Sequence, residues 1–274
     1  MQLGIFAKTF PGADANAVLR QVAANGYICT QFNMACTGLP SLPDAIPADI
    51  ITDVAAAAHR HGVGIAAVSG TYNMIHPDPA VRARGLSSLA AIIAAAPVMG
   101  CRLVTLCTGT RDPQDQWRHH PDNASPEAWR DLLAEMARAV AIAEHHGVDL
   151  GIEPELANVV CDAAAARRLI DTLGSSRLRV VLDPANLFEV ADAAARRTLV
   201  ERAADLLADR IVMAHAKDRT ASGGFATAGK GVVDFAHFIC CLRTAGFDGP
   251  LIAHGLVADE AAETAAFLRR ARDA

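Results

Sequence analysis

The chain has 274 residues, of which 52% are hydrophobic and 20% charged, enough apolar material to bury a large core. With 25 Lys and Arg against 30 Asp and Glu, the formal net charge is -5. That balance excludes the broad positive field that nucleic-acid or anionic-membrane binding requires. Aromatic residues are only 5%, so Ala, Val, Leu and Ile must do the packing.

The length suits residues 1–274 as one domain, since a barrel of eight βα units takes about 250 residues. Seven cysteines occur, an odd number with no CxxC pair, which argues against a disulfide framework or an all-cysteine zinc site. The first residues, MQLGIFAKTF, lack the layout of a signal peptide. The Ala-rich stretch LSSLAAIIAAAPVMG is too short to span a bilayer. A reducing, cytoplasmic location is expected.

Along the chain one pattern recurs. A helix-like stretch ends in Gly and a short apolar run follows at once, as in AANG-YICTQF, HRHG-VGIAAVSG, VMG-CRLVTLC and EHHG-VDLGIEPE. Gly after a helix supplies the left-handed residue that closes the last turn. Short runs rich in Val, Ile and Leu read as strands buried on both faces. Adding LGIFAK, LRVVLDPAN, RIVMAHAKD and GPLIAHG predicts eight strands, beginning near residues 3, 27, 64, 102, 149, 178, 210 and 250. Helices lie between them, with N-terminal signals at Ser125-Pro126-Glu127, Asp162 and Asp259-Glu260. Strict alternation implies parallel strands and right-handed crossovers, most economically a closed (β/α)8 TIM barrel. The competing architecture is an open doubly wound sheet. No GxGxxG or P-loop motif follows the first strand, so a nucleotide-binding version of that sheet has little support.

Three long connections follow strands, at 33 to 48, 108 to 124 and 218 to 233. All three fall on the C-terminal face, where barrel enzymes keep their sites. Strand ends there carry metal-competent side chains: Glu153 and Glu155 on the fifth, Asp183 on the sixth, His215 on the seventh and His254 on the eighth. Charged groups directly after apolar runs are rare unless paired or bound to metal. Taken singly, each is as readily a helix cap or a salt bridge; taken together on adjacent staves, Glu153, Asp183, His215 and His254 predict one metal site. Such mixed N/O ligands favour Mn, Co, Zn or Fe over Mg.

Further residues are expected to line the pocket. Lys217 projects one layer above His215, where it would bind a substrate oxygen; its bland role is a salt bridge to Asp218 or Glu155. Asn186, Asn73, His76, Thr108, Arg111 and Trp117 supply polar groups and an indole suited to a sugar, each equally readable as loop surface or a cap. Arg111, Arg219 and Lys230 are candidates for holding a phosphate.

The segments IEPE with NVV shortly after, LDPANLF, AHAKD, GKGVVDF and GPLIAHGL, with SGTYNMIHPD and TLCTGTRDPQDQWRHHPDN, together resemble the sugar phosphate isomerase/epimerase group of the xylose isomerase-like TIM barrel superfamily. The likeness runs from about residue 30 to the end. It implies a divalent metal held by Glu153, Asp183 and His215. The ketose 3-epimerases are similar but place Glu where this chain has His254. The resemblance implies isomerisation or epimerisation of a sugar-like small molecule through a metal-stabilised enediolate, with Glu153 as base and Lys217 as oxyanion partner. His254 would then be a ligand, the second acid/base, or both. Two alternatives remain: a dehydratase of the inosose type, and a non-catalytic sugar-binding barrel. A metal-dependent endonuclease would need more ligands and a basic groove. Exposed barrel helices leave room for a homodimer.

Overall fold

A computed structural model describes residues 1–274. The chain opens with β1 (Gln2–Phe6), α1 (Ala15–Ala24), β2 (Cys29–Phe32), α2 (Ala48–His61) and β3 (Gly64–Ser69). Next come α3 (Pro79–Ala95), β4 (Leu103–Leu106), α4 (Pro126–His146), β5 (Asp149–Ile152), α5 (Ala163–Leu173) and β6 (Leu178–Leu182). The last quarter holds α6 (Ala193–Leu206), β7 (Ile211–Arg219), β8 (Phe225–Thr227), α7 (Phe235–Thr244), β9 (Pro250–Ala253) and α8 (Ala261–Asp273).

Eight parallel strands close into a barrel with the helices outside. The sheet order is β6-β5-β4-β3-β2-β1-β9-β7, and β6 pairs with β7 to seal it. The Gly punctuation works as predicted: Gly62 and Gly147 end α2 and α4 at φ 63° and 65°, where a Cβ would be strained. The predicted N-caps also form. Ser125 Oγ accepts from Ala128 N at 3.1 Å, and Asp162 Oδ1 accepts from Ala165 N at 2.7 Å. At the third signal a short 3-10 turn, Ala258–Glu260, leads into α8. Where β1, β2 and β9 meet, a Cβ at Gly4 would lie 2.5 Å from Ile252 Cδ1 and 2.7 Å from the Cys29 carbonyl, so only Gly lets the staves close there.

Two register shifts sit near the C-terminal rim, between Thr30 and Gln31 on β2 and between Val180 and Val181 on β6. Irregularities of this kind re-aim the side chains that follow; here those include Gln31 and Asp183.

The expected long loop after the seventh strand contains regular structure. β7 runs past the barrel rim and pairs antiparallel with β8, Lys217 opposite Thr227 and Arg219 opposite Phe225. Asp218, fully buried, holds this hairpin and the chain beyond it. Its Oδ1 accepts from Arg219 N (2.8 Å) and Val233 N (2.9 Å), and its Oδ2 from Gly229 N (3.0 Å) and Gly231 N (2.9 Å). The two glycines of GKGVVDF bring their N–H groups to that carboxylate, and a Cβ at Gly231 would overlap the Arg219 carbonyl. Replacing Asp218 with Asn would turn an amide NH2 against two N–H donors. Asp218→Asn is therefore expected to cost about 2–4 kcal/mol, read as a lower urea midpoint with an unchanged slope.

Candidate metal centre

The site is built from the residues that end β5, β6 and β7. Glu153 follows β5. Its Oε1 accepts from Asn186 Nδ2 at 2.8 Å and lies 3.1 Å from His215 Nδ1, while Oε2 faces Cys107 Sγ at 3.9 Å. Asp183 follows β6. Its Oδ1 caps the short turn Pro184–Asn186 by accepting from Ala185 N at 2.9 Å. Its Oδ2 stands 3.1 Å from Lys217 Nζ and 3.6 Å from His215 Nδ1. The first contact lacks hydrogen-bond alignment and the second is too long, so this buried oxygen has an ion-pair neighbour but no hydrogen bond. His215, on β7, sets its Nε2 2.7 Å from Gln31 Oε1, and the Gln31 amide donates to Ser69 Oγ and Thr105 Oγ1, both at 3.1 Å. Gln31 thus engages Nε2 and leaves Nδ1 turned toward the carboxylates, the kind of support that orients a metal-ligating imidazole.

One ligand atom each from Glu153, Asp183 and His215 lies within 4.8 Å of the others. The donor set, two carboxylates and one imidazole, fits a divalent cation, and so does the Asp183 oxygen that accepts no hydrogen bond.

Of the four expected ligands, Glu153, Asp183 and His215 gather in this cluster, and His254, whose buried Nδ1 has no hydrogen-bond partner, stands beside it. His254 lies outside the cluster, its ring stacked between Phe6 and His215 with both centroid separations 4.8 Å and both interplanar angles 23°. Its backbone N–H bonds Ala216 O at 3.2 Å, and the chain turns away at Gly255 with φ 72°. The ring therefore lies face to face with a ligand instead of joining it at the cluster.

Electrostatics tie the group together. Burial pushes the Asp183 carboxyl up, but Lys217 and then His215 outweigh it and hold it well below the usual range. Burial disfavours the His215 imidazolium, yet Glu153 and Asp183 raise it to about 9. Lys217 is raised despite burial because Asp183, Glu153 and Glu155 surround it. Burial pushes Glu155 up to about 7, with Lys217 pulling it down by less. Burial, then His215 and Lys217, drive His254 well below its ordinary value, so its ring is neutral.

These shifts fix a sign for the metal-free protein. The folded state holds the Glu155 proton more tightly than the unfolded chain, so stability falls as pH rises from 4.5 through about 7. His215 adds stability that is complete below 6.5 and lost as pH rises through about 9. Unfolding temperatures of chelator-treated protein should fall across both windows. Glu155→Gln should flatten the lower one by about 1–2 kcal/mol, discounted because Glu155 is half-buried. A rise in stability over the lower window would contradict this assignment.

A cavity of about 470 Å³ opens above the cluster. Glu153, Glu155, Lys217, His254 and Trp117 line it as expected. Other predicted pocket residues have structural jobs instead. Asn73 Oδ1 accepts from Thr110 N at 3.0 Å, and Thr108 Oγ1 accepts from Val160 N at 3.1 Å, so both hold loop backbone. His76 accepts from Asp78 N at 3.0 Å, and Arg111 pairs with Asp131 at 2.8 Å; none of these four lines the cavity. Asn186 reaches the site only through its bond to Glu153. The phosphate candidates are likewise engaged. Arg219 donates to Ala185 O at 2.5 Å, and Lys230 pairs with Glu260 at 2.8 Å. Sequence reasoning missed Gln31, Phe6, Lys8, Thr105 and Phe225, all on the cavity wall. A neutral amide next to last in the run ICTQF was the only signal for Gln31.

The family model for the xylose isomerase-like TIM barrel matches residues 19–271. The chain belongs to that family. Among solved structures, this family member is similar to 3-keto-D-glucoside 4-epimerase from E. coli, with 16% identity, TM-score 0.77, and coverage of 98% of this chain and 99% of that one. It is similar to an L-ribulose 3-epimerase, with 20% identity, TM-score 0.77, and coverage of 99% and 94%. It is also similar to the IolI protein with a zinc atom, with 16% identity, TM-score 0.76, and coverage of 100% and 98%. At these identities the likeness shows the fold. No curated protein matches the sequence.

Proposed function

We propose that this chain is a divalent-metal-dependent isomerase or epimerase acting on a sugar or sugar derivative. The observation that carries the reading is the Glu153–Asp183–His215 cluster, its ligand atoms within 4.8 Å of one another at the floor of a cavity lined with hydroxyls and amides. Likeness to epimerases supports it, and the zinc bound by the IolI protein supports a metal. All seven cysteines are free, which favours a reducing compartment. No helix is long and apolar enough to cross a membrane.

When bound by Glu153, Asp183 and His215, a divalent ion supplies Lewis acidity toward a carbonyl and its neighbouring hydroxyl. The side chains do the rest. Glu153 takes a proton from the carbon beside the carbonyl, and Asn186 fixes the rotamer from which it does so. Lys217, held against Asp183 and over the Phe225 ring, meets negative charge that develops on the substrate oxygen. Return of that proton from Glu153, to the same carbon or to its neighbour, sets the isomeric outcome, and the neutral His254 on the cavity wall offers a ring nitrogen to a substrate hydroxyl. Gln31, Ser69 and Thr105 present the amide and hydroxyls that a polyol would contact.

The test is Glu153→Gln assayed with saturating metal on a panel of free sugars in deuterated water. Loss of a general base is expected to lower turnover and carbon-bound deuterium incorporation by about 100- to 10,000-fold. Near wild-type exchange in Glu153→Gln, or no exchange by the wild type on any sugar, would sink this reading. A product lighter by one water would mark a dehydratase instead.

A further inference from the structure

The cavity does not end at its mouth. It runs into an open groove of about 540 Å³, and the two share Phe6, Lys8, Phe225, His254 and Gly255 as common walls. Their chemistry differs. The inner part is dominated by carboxylates, amides and hydroxyls from the strand ends. The outer part adds Ala226, Leu256 and Val257. Its one carboxylate, Glu260, is already engaged by Lys230 at 2.8 Å and Thr227 at 2.6 Å. Lys8 is the one cation on this wall, and it is shared with the inner cavity.

Three of the eight exposed large hydrophobic side chains lie at this opening. Phe225 is 53% exposed, Val257 62% and Trp117 53%. Phe225 is not a loose loop residue. It lies on the hairpin that Asp218 anchors, with Lys217 Nζ and the Arg219 guanidinium each 4.2 Å from its ring centroid. A rigid aromatic wall costs little order on binding, and apolar side chains contiguous with a polar pocket mark a place where ligand excludes water.

We infer that the substrate is a two-part molecule, a polyhydroxylated sugar that keeps its carbonyl and enters the inner cavity, joined to an apolar substituent that lies in the outer groove along Phe225, Leu256 and Val257. The inference rests on the proposed sugar site of the inner cavity. A free monosaccharide would occupy the inner part alone and leave the groove wet.

The test is calorimetric binding of matched methyl and phenyl β-glycosides of glucose, galactose, mannose and xylose to the metal-loaded protein. At least one phenyl glycoside should bind about 10-fold tighter than its methyl partner. Val257→Asp places a charge on the groove wall away from the metal cluster. It should remove that preference and leave the methyl glycoside affinity unchanged, while Val257→Ile should keep the preference. Equal affinities within every pair, no binding by any pair, or a preference that survives both Val257→Asp and Phe225→Ala would overturn the subsite. Because affinity is read without turnover, the two readings fail separately. Absent carbon–deuterium exchange on free sugars removes the isomerase, while the phenyl preference stands or falls on its own.

Discussion

Asp183→Asn is expected to strip the protein of bound divalent metal on dialysis and to lower turnover by about 1,000-fold. The substitution keeps the side chain's shape, and the Asn carbonyl can still accept from Ala185 N, so the short turn after β6 survives. What changes is Asp183 Oδ2, the buried oxygen without a hydrogen-bond partner. In its place an NH2 would face Lys217 Nζ and His215 Nδ1, now 3.1 and 3.6 Å from that oxygen. Two donors would meet two groups that carry positive charge, and no lone pair would be left for a cation. The metal-free protein should also lose about 3 kcal/mol, because Lys217 would keep its burial and lose the carboxylate closest to its charge. Elemental analysis after dialysis, with thermal unfolding before and after chelation, reads all three effects. Retention of one equivalent of metal by Asp183→Asn would remove Asp183 from the ligand set.

The barrel was legible because its signals are local. A strand buried on both faces must be a short apolar run, and a helix that stops sharply needs a left-handed Gly; both features are visible in one sequence. The three-residue cluster was legible for a related reason. Glu153, Asp183 and His215 are polar groups at the ends of apolar strands, where burial demands a partner. His254 satisfied the same pattern without joining the cluster, since residue type and depth do not reveal that a ring stacks between Phe6 and His215.

The loop residues were harder for the same physical reason. Asn73, His76, Thr108 and Arg111 are as suited to holding a loop's own backbone as to holding a sugar, and the sequence does not say which way each one turns. In the structure Asn73, His76 and Arg111 stitch the connections after β3 and β4 together, and Thr108 holds the connection after β5. The first wall of the cavity stayed hidden because Phe6 ends β1 as one more apolar residue and Lys8 follows it in a short turn, with no carboxylate or imidazole at the strand end. The β7–β8 hairpin was hidden too. Its signal is the spacing between Asp218 and the glycines at 229 and 231, a long-range hydrogen-bond arrangement with no local period.

Lys217→Met should separate metal binding from catalysis in the opposite sense to Asp183→Asn. Lys217 is buried among Asp183, Glu153 and Glu155, so its charge competes with a divalent ion for the same carboxylates. Met keeps the apolar stem while removing the ammonium and its position over the Phe225 ring. The cluster then has more negative charge for a metal to neutralise, so affinity for the ion should hold or tighten. Turnover with saturating metal should nonetheless fall by about 100-fold, because the group that meets charge on the substrate oxygen is gone. The metal-free variant should unfold at lower temperature than the metal-free wild type, since three carboxylates lose their shared lysine, and the stabilisation gained on adding metal should therefore be larger. A merely structural lysine would change the unfolding temperatures and leave turnover of the metal-loaded variant near wild type, and that result would take Lys217 out of the chemistry.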